Sequence, residues 1–271
     1  MAKTKVLITV KTYPTISTKY EELVCTAGFR EDGTWIRIYP VQFRKKSYQE
    51  QYGKYQWIEL DLVKNDSDFR PESYRPISHD TEIKILAEIP TDGDAWVERR
   101  KVVLNKIYYS LAELIAEAKD RNIGTSLAVF KPTKVLDFIW EEVEREWDDK
   151  KLATLKQYNL FDTSSGDKSE VVKKLPYKFS FVFEDNQGKE STLMIEDWET
   201  GALYWNMMRK YGDEKQACAA VREKYFDDFS KTKDLHFYLG TSQQFHLVAP
   251  NPFMIIGTFH PKKVSQTEMN F

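Results

Sequence analysis

Residues 22–40 read ELVCTAGFREDGTWIRIYP, two runs of β-forming residues on either side of an Arg-Glu-Asp-Gly turn. Branched and aromatic residues in both runs favour extended backbone. The pair Asp32-Gly33 tolerates the positive φ that a tight hairpin turn requires. The pattern therefore predicts a β-hairpin with strands at 22–29 and 34–40.

The second strand of this hairpin carries two kinds of side chain in alternation. One set of positions is apolar, and the other set consists of Trp35, Arg37 and Tyr39. Successive side chains of a strand point to opposite faces of its sheet. We therefore expect one face of this strand on a core and an aromatic and cationic row on the other face.

Further short runs of β-forming residues lie around the hairpin, at 5–12, 55–63, 81–89, 127–130 and 135–143. One helix between them has a clear start, because Ser110 and Glu113 form a capping box. No βαβ alternation is visible, which argues against a doubly wound sheet. We expect an oligonucleotide-binding (OB) type of β-barrel, as one barrel or two in tandem.

A polar stretch, DTSSGDKS at 162–169, is typical of a flexible connection between domains. After it, YKFSFVFE at 177–184 alternates strictly and predicts a hairpin with 191–195. Two capped helices and two strands follow, and the first helix is expected to bury a stripe of Trp198, Ala202, Trp205 and Met208. The fold class is therefore α+β: an OB-like β-barrel domain at 1–161, a linker at 162–173, a smaller ββααββ domain at 174–264 and a tail at 265–271.

The composition excludes several classes of protein. Apolar residues make up 41% and charged residues 30% of the 271, which is ordinary for a folded protein and excludes a disordered or fibrous chain. No apolar run approaches the roughly 18 residues of a membrane span, and residues 1–10 lack the long apolar segment and the cleavage site of a signal peptide, so we expect a cytoplasmic protein without a membrane partner. The two cysteines, Cys25 and Cys218, predict neither a disulfide framework nor a cysteine zinc site.

Charge and aromatic residues favour a nucleic-acid partner. Residues 1–56 carry ten Lys or Arg against five Asp or Glu, about +5. A proline-fixed loop at 66–76 places Arg70 and Arg75 where they can bind phosphates and Tyr74 where it can stack on a base. The candidate nucleic-acid-binding set is Trp35, Arg37, Tyr39, Arg44, Arg70, Tyr74 and Arg75. The alternative is an internal ion-paired loop, in which Asp68 and Glu72 neutralise the arginines.

A cluster of carboxylates in the second domain suggests a different class of function. A nuclease that uses a divalent metal ion would need such acids as ligands, and the candidates are Asp185, Glu196, Asp197 and Glu199. Acids at a helix start also serve as caps and favour the helix dipole. The four histidines, His79, His236, His246 and His260, show no metal-binding spacing. We expect no cofactor and no metal, apart from a divalent ion if the protein is a nuclease.

A short motif before the linker suggests a protein partner. Gln157, Leu160 and Phe161 lie in the sequence QYNLF, which is similar to the peptides by which bacterial replication and repair proteins bind the sliding clamp. The terminal QTEMNF at 266–271 is a looser version. Apolar anchors in an extended segment fill a groove while glutamine sets the register. The alternative is that Leu160 and Phe161 cover the end of a domain.

Four short stretches resemble an uncharacterised bacterial family with an N-terminal dual OB-containing domain. They are KTYP at 11–14, WIRIYP at 35–40 with Phe43-Arg44, RPESY at 70–74 and DWE at 197–199. The resemblance implies tandem OB folds and gene neighbourhoods linked to mobile elements or defence. Some relatives carry a Cys/His cluster in the hairpin after the linker, where this chain has Glu184-Asp185-Asn186 and Ser191-Thr192, a departure that argues against zinc at this place. The expected function is a nucleic-acid-binding accessory protein in DNA repair or defence, and the alternatives are the nuclease and a protein-only adaptor.

Overall fold

The computed structural model describes residues 3–17, 21–41, 43–78, 80–93, 95–150, 152–153 and 171–263. The strands are β1 Thr4–Lys11, β2 Thr15–Ser17, β3 Glu21–Phe29, β4 Trp35–Val41, β5 Gln56–Leu60, β6 Leu62–Lys64, β7 Ser73–Pro76, β8 Lys84–Glu88, β9 Ile107–Tyr108, β10 Leu127–Phe130, β11 Lys134–Glu142, β12 Tyr177–Glu184, β13 Glu190–Met194, β14 His236–Thr241 and β15 Phe253–Phe259. The α-helices are α1 Val97–Val103, α2 Leu111–Lys119, α3 Trp198–Tyr211 and α4 Glu214–Arg222, which continues as a π-helix at Glu223–Ser230.

The first eight strands form one sheet. Its order is β6-β7-β4-β3-β1-β5-β8, with β2 beside β3. The predicted hairpin is confirmed, since β3 pairs antiparallel with β4 and Gly33 has φ 78° in the turn. Register shifts between Ile8 and Val10 and between Val24 and Thr26 mark bulges, which bend a sheet and increase its twist. The sheet therefore curls around a core of apolar residues that includes Val6, Ile8, Ile36, Ile38, Ile58 and Leu60.

Part of the predicted polar loop at 66–76 is a strand. Residues 73–76 form β7, which pairs parallel with β4 at Arg37–Ser73 and Ile38–Tyr74. This pairing covers the hydrogen-bonding edge of β4. The strand predicted at 55–63 is also divided, with β5 and β6 separated at Asp61.

The C-terminal part confirms the predicted ββααββ order, from β12 and β13 through α3 and α4 to β14 and β15. Two sheets result, one in the order β15-β14-β10-β9 and one in the order β11-β12-β13. Aromatic rings fill the space between sheets and helices: Phe138 stacks on Tyr225 with ring centroids 5.2 Å apart, and Phe181 lies 4.7 Å from Phe237. The fold is therefore mixed α+β.

The hydrogen-bonded ladders cross the predicted linker. The sequence assigned residues 127–142 to the N-terminal domain, but β10 pairs with β14 and β11 pairs with β12. Sheet membership changes between β8, which ends at Glu88, and β9, which begins at Ile107. A strand run in the sequence carries no signal for the partner with which it pairs.

The two parts of the chain share a buried core. Val10, Phe29 and Tyr55 from the N-terminal part pack in one cluster with residues of the C-terminal part that include Val129, Tyr238 and Phe259. The hydroxyls of Tyr55 and Tyr238 lie 3.2 Å apart. None of the helices in the described part of the chain has the length and apolar character of a bilayer-spanning helix.

Candidate functional site

Arg37, the central cation of the predicted solvent-facing row, is buried, with 2% of its surface exposed. Its guanidinium donates to Ser126 Oγ at 2.8 Å, to the Ser126 carbonyl at 3.1 Å and to Ser73 Oγ at 3.3 Å. The face of β4 that the sequence assigned to solvent therefore packs against the C-terminal part of the chain. Alternation identified the two faces correctly, but it could not show that both are covered.

Arg70 is buried as well and is held by its own loop. It donates to Asp68 Oδ1 at 2.9 Å and to Asp68 Oδ2 at 2.5 Å, and it also binds the carbonyl of Thr241. Burial alone would raise the pKa of Asp68, but Arg70 outweighs it and lowers that pKa to about 2. Glu72 accepts from the backbone N–H of Ser126 at 3.0 Å and from its hydroxyl at 2.7 Å. Asp68 therefore neutralises Arg70, as the alternative weighed from the sequence expected, whereas Glu72 binds Ser126.

The five remaining candidates do not form one surface. Trp35 is half-buried against Phe29 and Tyr238. Tyr74 lies beneath two cations, with Arg30 at 4.6 Å and Lys64 at 5.1 Å from its ring centre. Arg75 donates to the carbonyl of Pro76. Tyr39 is half-buried, and Arg44 is exposed. Of the seven, Arg44 lines the groove described next.

An open groove of about 630 Å³ lies between the start of the N-terminal part and α3. We call it the α3 groove and define it by its lining residues: Tyr13, Pro14, Arg44, Val171, Val172, Lys173, Trp198, Ala202, Trp205, Asn206, Met208 and Arg209. Three of these side chains are cationic and three are aromatic. None of the described residues that line the groove is acidic. The groove therefore combines positive charge with ring surfaces.

Helix α3 supplies the floor of the groove through one stripe of side chains. Positions 198, 202, 205 and 209 repeat at intervals of four, three and four residues and so share a face of the helix. The sequence predicted Trp198, Ala202, Trp205 and Met208 as the core-facing stripe. The fully buried positions are instead Thr200, Gly201 and Tyr204, and the predicted stripe is half-buried along the groove. The periodicity of an amphipathic helix does not show whether its tryptophans pack in a core or line a groove.

Tyr13 packs directly on α3 at Gly201. A Cβ on Gly201 would lie 2.2 Å from the Tyr13 ring, so this approach requires glycine. The Tyr13 hydroxyl accepts from Trp205 Nε1 at 2.9 Å and donates to the Lys173 carbonyl at 2.8 Å. The ring of Tyr13 thereby joins three separate segments of the groove wall.

Trp198 is held from the opposite side. Phe43 contacts it edge-on at 5.6 Å, and the Lys11 ammonium lies 5.4 Å from its ring centre. Lys11 also donates to the Tyr52 carbonyl at 3.0 Å. Burial, with Lys54 nearby, lowers the pKa of Lys11 to about 8. Both groove tryptophans therefore have neighbours that restrict their rotation.

A buried ion pair anchors the first turn of α3. Lys54 Nζ lies 2.8 Å from Asp197 Oδ1, 2.9 Å from Asp197 Oδ2 and 2.9 Å from Glu199 Oε2. Asp197 also caps the helix by accepting from the backbone N–H of Glu199. Burial opposes the charge on Lys54, but the two carboxylates outweigh it and raise the pKa of Lys54 above its ordinary value. The prediction that Asp197 caps α3 is confirmed. The ion pair with Lys54 could not be predicted from the spacing of residues in the sequence.

The four candidate nuclease acids do not converge. Asp185 lies in the β12–β13 turn, where it accepts from the backbone N–H groups of Leu111, Gln187 and Lys189. Asp197 and Glu199 bind Lys54, and burial raises the pKa of Glu196. Within the described residues no three His, Cys, Asp or Glu side chains form a group that could hold a metal ion. Asp185 therefore stabilises the β12–β13 turn, whereas Asp197 and Glu199 bind Lys54 at the first turn of α3.

Several sequence predictions lie outside the described residues. The clamp-like motif with Gln157, Leu160 and Phe161, the terminal QTEMNF and His79 are among them. The groove-lining residues that the sequence analysis did not propose as site residues include Tyr13, Lys173, Trp205 and Arg209. A signal was available for two of them, since Trp205 and Arg209 follow Trp198 at helical spacing.

Comparison with known proteins adds two family matches. No curated protein matches the chain. One solved structure, described as "Structure of murine DNA binding protein bound with ds DNA", covers 98% of each chain at 11% identity with a TM-score of 0.33, which carries no argument about fold or function. A family described as Domain of unknown function (DUF8758) matches residues 2–105, and the match ends where the sheets divide. A second family matches residues 107–271, more than half of the chain, and the protein therefore belongs to the family described as Domain of unknown function (DUF8757).

Proposed function

We propose that this protein is a nucleic-acid-binding accessory protein and that the α3 groove is its binding site. One observation carries the proposal: Arg44, Lys173 and Arg209 line the same groove as Tyr13, Trp198 and Trp205, and none of the described lining residues is acidic. Phosphates supply negative charge at regular spacing, and cationic side chains release counterions when they bind it. Aromatic rings beside such cations are typical of nucleic-acid surfaces.

Both family-matched regions contribute to the groove. Tyr13, Pro14 and Arg44 lie within residues 2–105, and the remaining lining residues lie within 107–271. The site is complete only when the two parts pack against each other, which the shared core and the buried Arg37 and Arg70 contacts maintain. In this proposal the two regions, which form separate sheets, act as one binding unit.

The finer parts of the proposal concern fold and context. We take the curled N-terminal sheet as an OB-like barrel, which the antiparallel order of β4, β3, β1 and β5 and the bulges in β1 and β3 support. We also place the protein in DNA repair or defence, on the strength of the sequence resemblance. Neither point is needed for the groove to bind a polyanion.

Fluorescence anisotropy with a labelled oligonucleotide tests the binding proposal. Three phosphate contacts give a slope of about −2 for log affinity against log salt concentration, so affinity falls roughly 20-fold between 50 and 200 mM salt. Arg209→Ala should weaken binding and make the slope shallower by about 0.7. Lys101→Ala, an exposed cation that pairs with Glu98 outside the groove, is the matched control and should leave both quantities unchanged.

Two results would contradict the binding proposal. If single-stranded and double-stranded oligonucleotides show no binding at 50 mM salt, the protein is not a nucleic-acid-binding protein. If binding persists undiminished when Arg44, Lys173 and Arg209 are all replaced by alanine, the site lies elsewhere on the molecule.

A further inference from the structure

We infer that the α3 groove binds single-stranded nucleic acid by stacking unpaired bases on Trp205 and Trp198. This inference rests on the proposed function, since it names the substrate class of the same groove. Base stacking requires that the bases of the ligand are unpaired, whereas binding of phosphates alone does not. A double helix presents phosphates and base edges at its surface and keeps the faces of its bases covered.

The first support is the spacing of the two indoles. Trp198 and Trp205 are seven residues apart on α3, which places them on the same face about 10.5 Å apart along the helix axis. The gap between them is lined by Ala202, the smallest side chain in the groove wall. Two rings separated by a small residue leave space for planar groups to enter beside each indole.

The second support is that Trp205 is held in one orientation. Its Nε1 donates to Tyr13 at 2.9 Å, and its ring contacts Tyr204 edge-on with centroids 5.0 Å apart. Tyr204 is fully buried, so the contact is anchored in the core. A ring that is already fixed loses little side-chain entropy when a base stacks on it. Trp205 is half-buried: it packs against the core of the C-terminal part and also lines the groove.

The third support is the position of the cations relative to the rings. Arg209 follows Trp205 by one turn of the same helix, and the Lys173 ammonium lies 5.9 Å from the Trp205 ring centre. Charges beside a ring can bind the phosphates on either side of a stacked nucleotide. An uncharged proline-rich peptide would also find aromatic surfaces in this groove, but it would supply no negative charge to Lys173 and Arg209. The charge therefore favours a nucleic acid.

A base-free oligonucleotide separates stacking from phosphate binding. The probes are fluorescein-labelled 12-mers: oligothymidine, an abasic strand with the same phosphates and a duplex. The full-length protein should bind oligothymidine about 5- to 150-fold more tightly than the abasic strand, the range that loss of one stacked base produces. Trp205→Leu should remove most of this difference, while Trp205→Phe, which keeps a ring, should retain most of it. Arg209→Ala should weaken both strands by the same factor.

Two controls guard against an unfolded variant. Tyr211→Ala removes an exposed ring at the end of α3 outside the groove and should bind like the wild type. Thermal denaturation of each variant shows whether it is folded at the assay temperature. If Trp205→Leu is unfolded, Trp205→Phe takes its place. Trp205→Phe should still prefer oligothymidine to the abasic strand, whereas a site that binds only phosphates would bind both strands equally.

The relative affinities for the three oligonucleotides decide whether the groove stacks unpaired bases. Equal affinity for oligothymidine and the abasic strand, with a steep salt dependence for both, would overturn base stacking and leave the proposed nucleic-acid binding intact. Tighter binding of the duplex than of either strand would also overturn it. Absence of binding to every oligonucleotide, together with binding of a proline-rich peptide, would overturn both proposals at once.

Discussion

The indole Nε1 of Trp205 donates a hydrogen bond of 2.9 Å to the hydroxyl of Tyr13, 192 residues earlier in the chain. Tyr13 lies in the N-terminal region and Trp205 in the C-terminal one, so this bond closes the α3 groove across the two family matches. Phenylalanine at position 13 would keep the ring on Gly201 and lose the bond. We expect Tyr13→Phe to lower stability by about 1 kcal/mol and to weaken oligothymidine binding several-fold, as measured by urea denaturation and anisotropy. Unchanged affinity would show that the bond does not position the ring.

Gly201 provides a test of how closely Tyr13 approaches the helix. Alanine is the better helix former by about 1 kcal/mol, but its Cβ would lie 2.2 Å from the Tyr13 ring. We expect Gly201→Ala to destabilise the protein by about 1–3 kcal/mol, because the ring must move away. In a Tyr13→Ala background the same substitution should become stabilising. Thermal or urea denaturation of the four variants measures this reversal, and a stabilising effect in both backgrounds would contradict the packing.

Arg37 should act on stability and not on binding. Methionine at this position removes the guanidinium from Ser126 and Ser73 and leaves buried acceptors unpaired. We expect Arg37→Met to cost about 2–4 kcal/mol of unfolding free energy. Arg75→Ala, a less buried arginine of the same predicted set, should change stability by about 0.5 kcal/mol or less. The folded fraction of Arg37→Met should bind oligothymidine with wild-type affinity, and a specific loss of affinity would restore Arg37 as a ligand-binding residue.

The pair Lys54–Asp197 should show strong coupling. Lys54→Met leaves a buried carboxylate without its cation, a change that costs about 3–5 kcal/mol. Asp197→Asn keeps a helix cap, since asparagine caps as well as aspartate. We therefore expect the double variant Lys54→Met/Asp197→Asn to be more stable than Lys54→Met alone. Additive losses in a denaturation cycle would mean that the two side chains do not interact.

Two buried histidines predict loss of stability in mild acid. Burial lowers the pKa of His236 and of His260 to about 4, whereas an unfolded histidine titrates near 6.5. Below pH 6.5 the unfolded chain therefore binds protons that the folded chain does not, and folding free energy is lost as the pH falls toward 4. We expect roughly 2–4 kcal/mol of loss between pH 7 and pH 5. Urea denaturation across this range measures it, and His236→Asn/His260→Asn should show a flatter profile.

The sequence alone determined most of the local structure. The hairpin of β3 and β4 follows from Asp32-Gly33 between β-forming runs, and the starts of α2, α3 and α4 follow from the caps Ser110, Asp197 and Asp213. These features depend on residues within a few positions of each other, and side-chain caps and turn glycines act at that range. The ββααββ order was predictable for the same reason.

The tertiary structure alone decided which surfaces are available. Alternation placed Arg37 opposite Ile36 and Ile38, but only the packing of the C-terminal part shows that Arg37 is buried as well. Strand pairing places β10 and β11 in sheets with strands of the C-terminal part, and the tryptophan stripe of α3 lines a groove that Tyr13 completes. Partners so distant in sequence leave no periodic signal, because long-range contacts depend on the packing of whole elements and not on the spacing of residues within one.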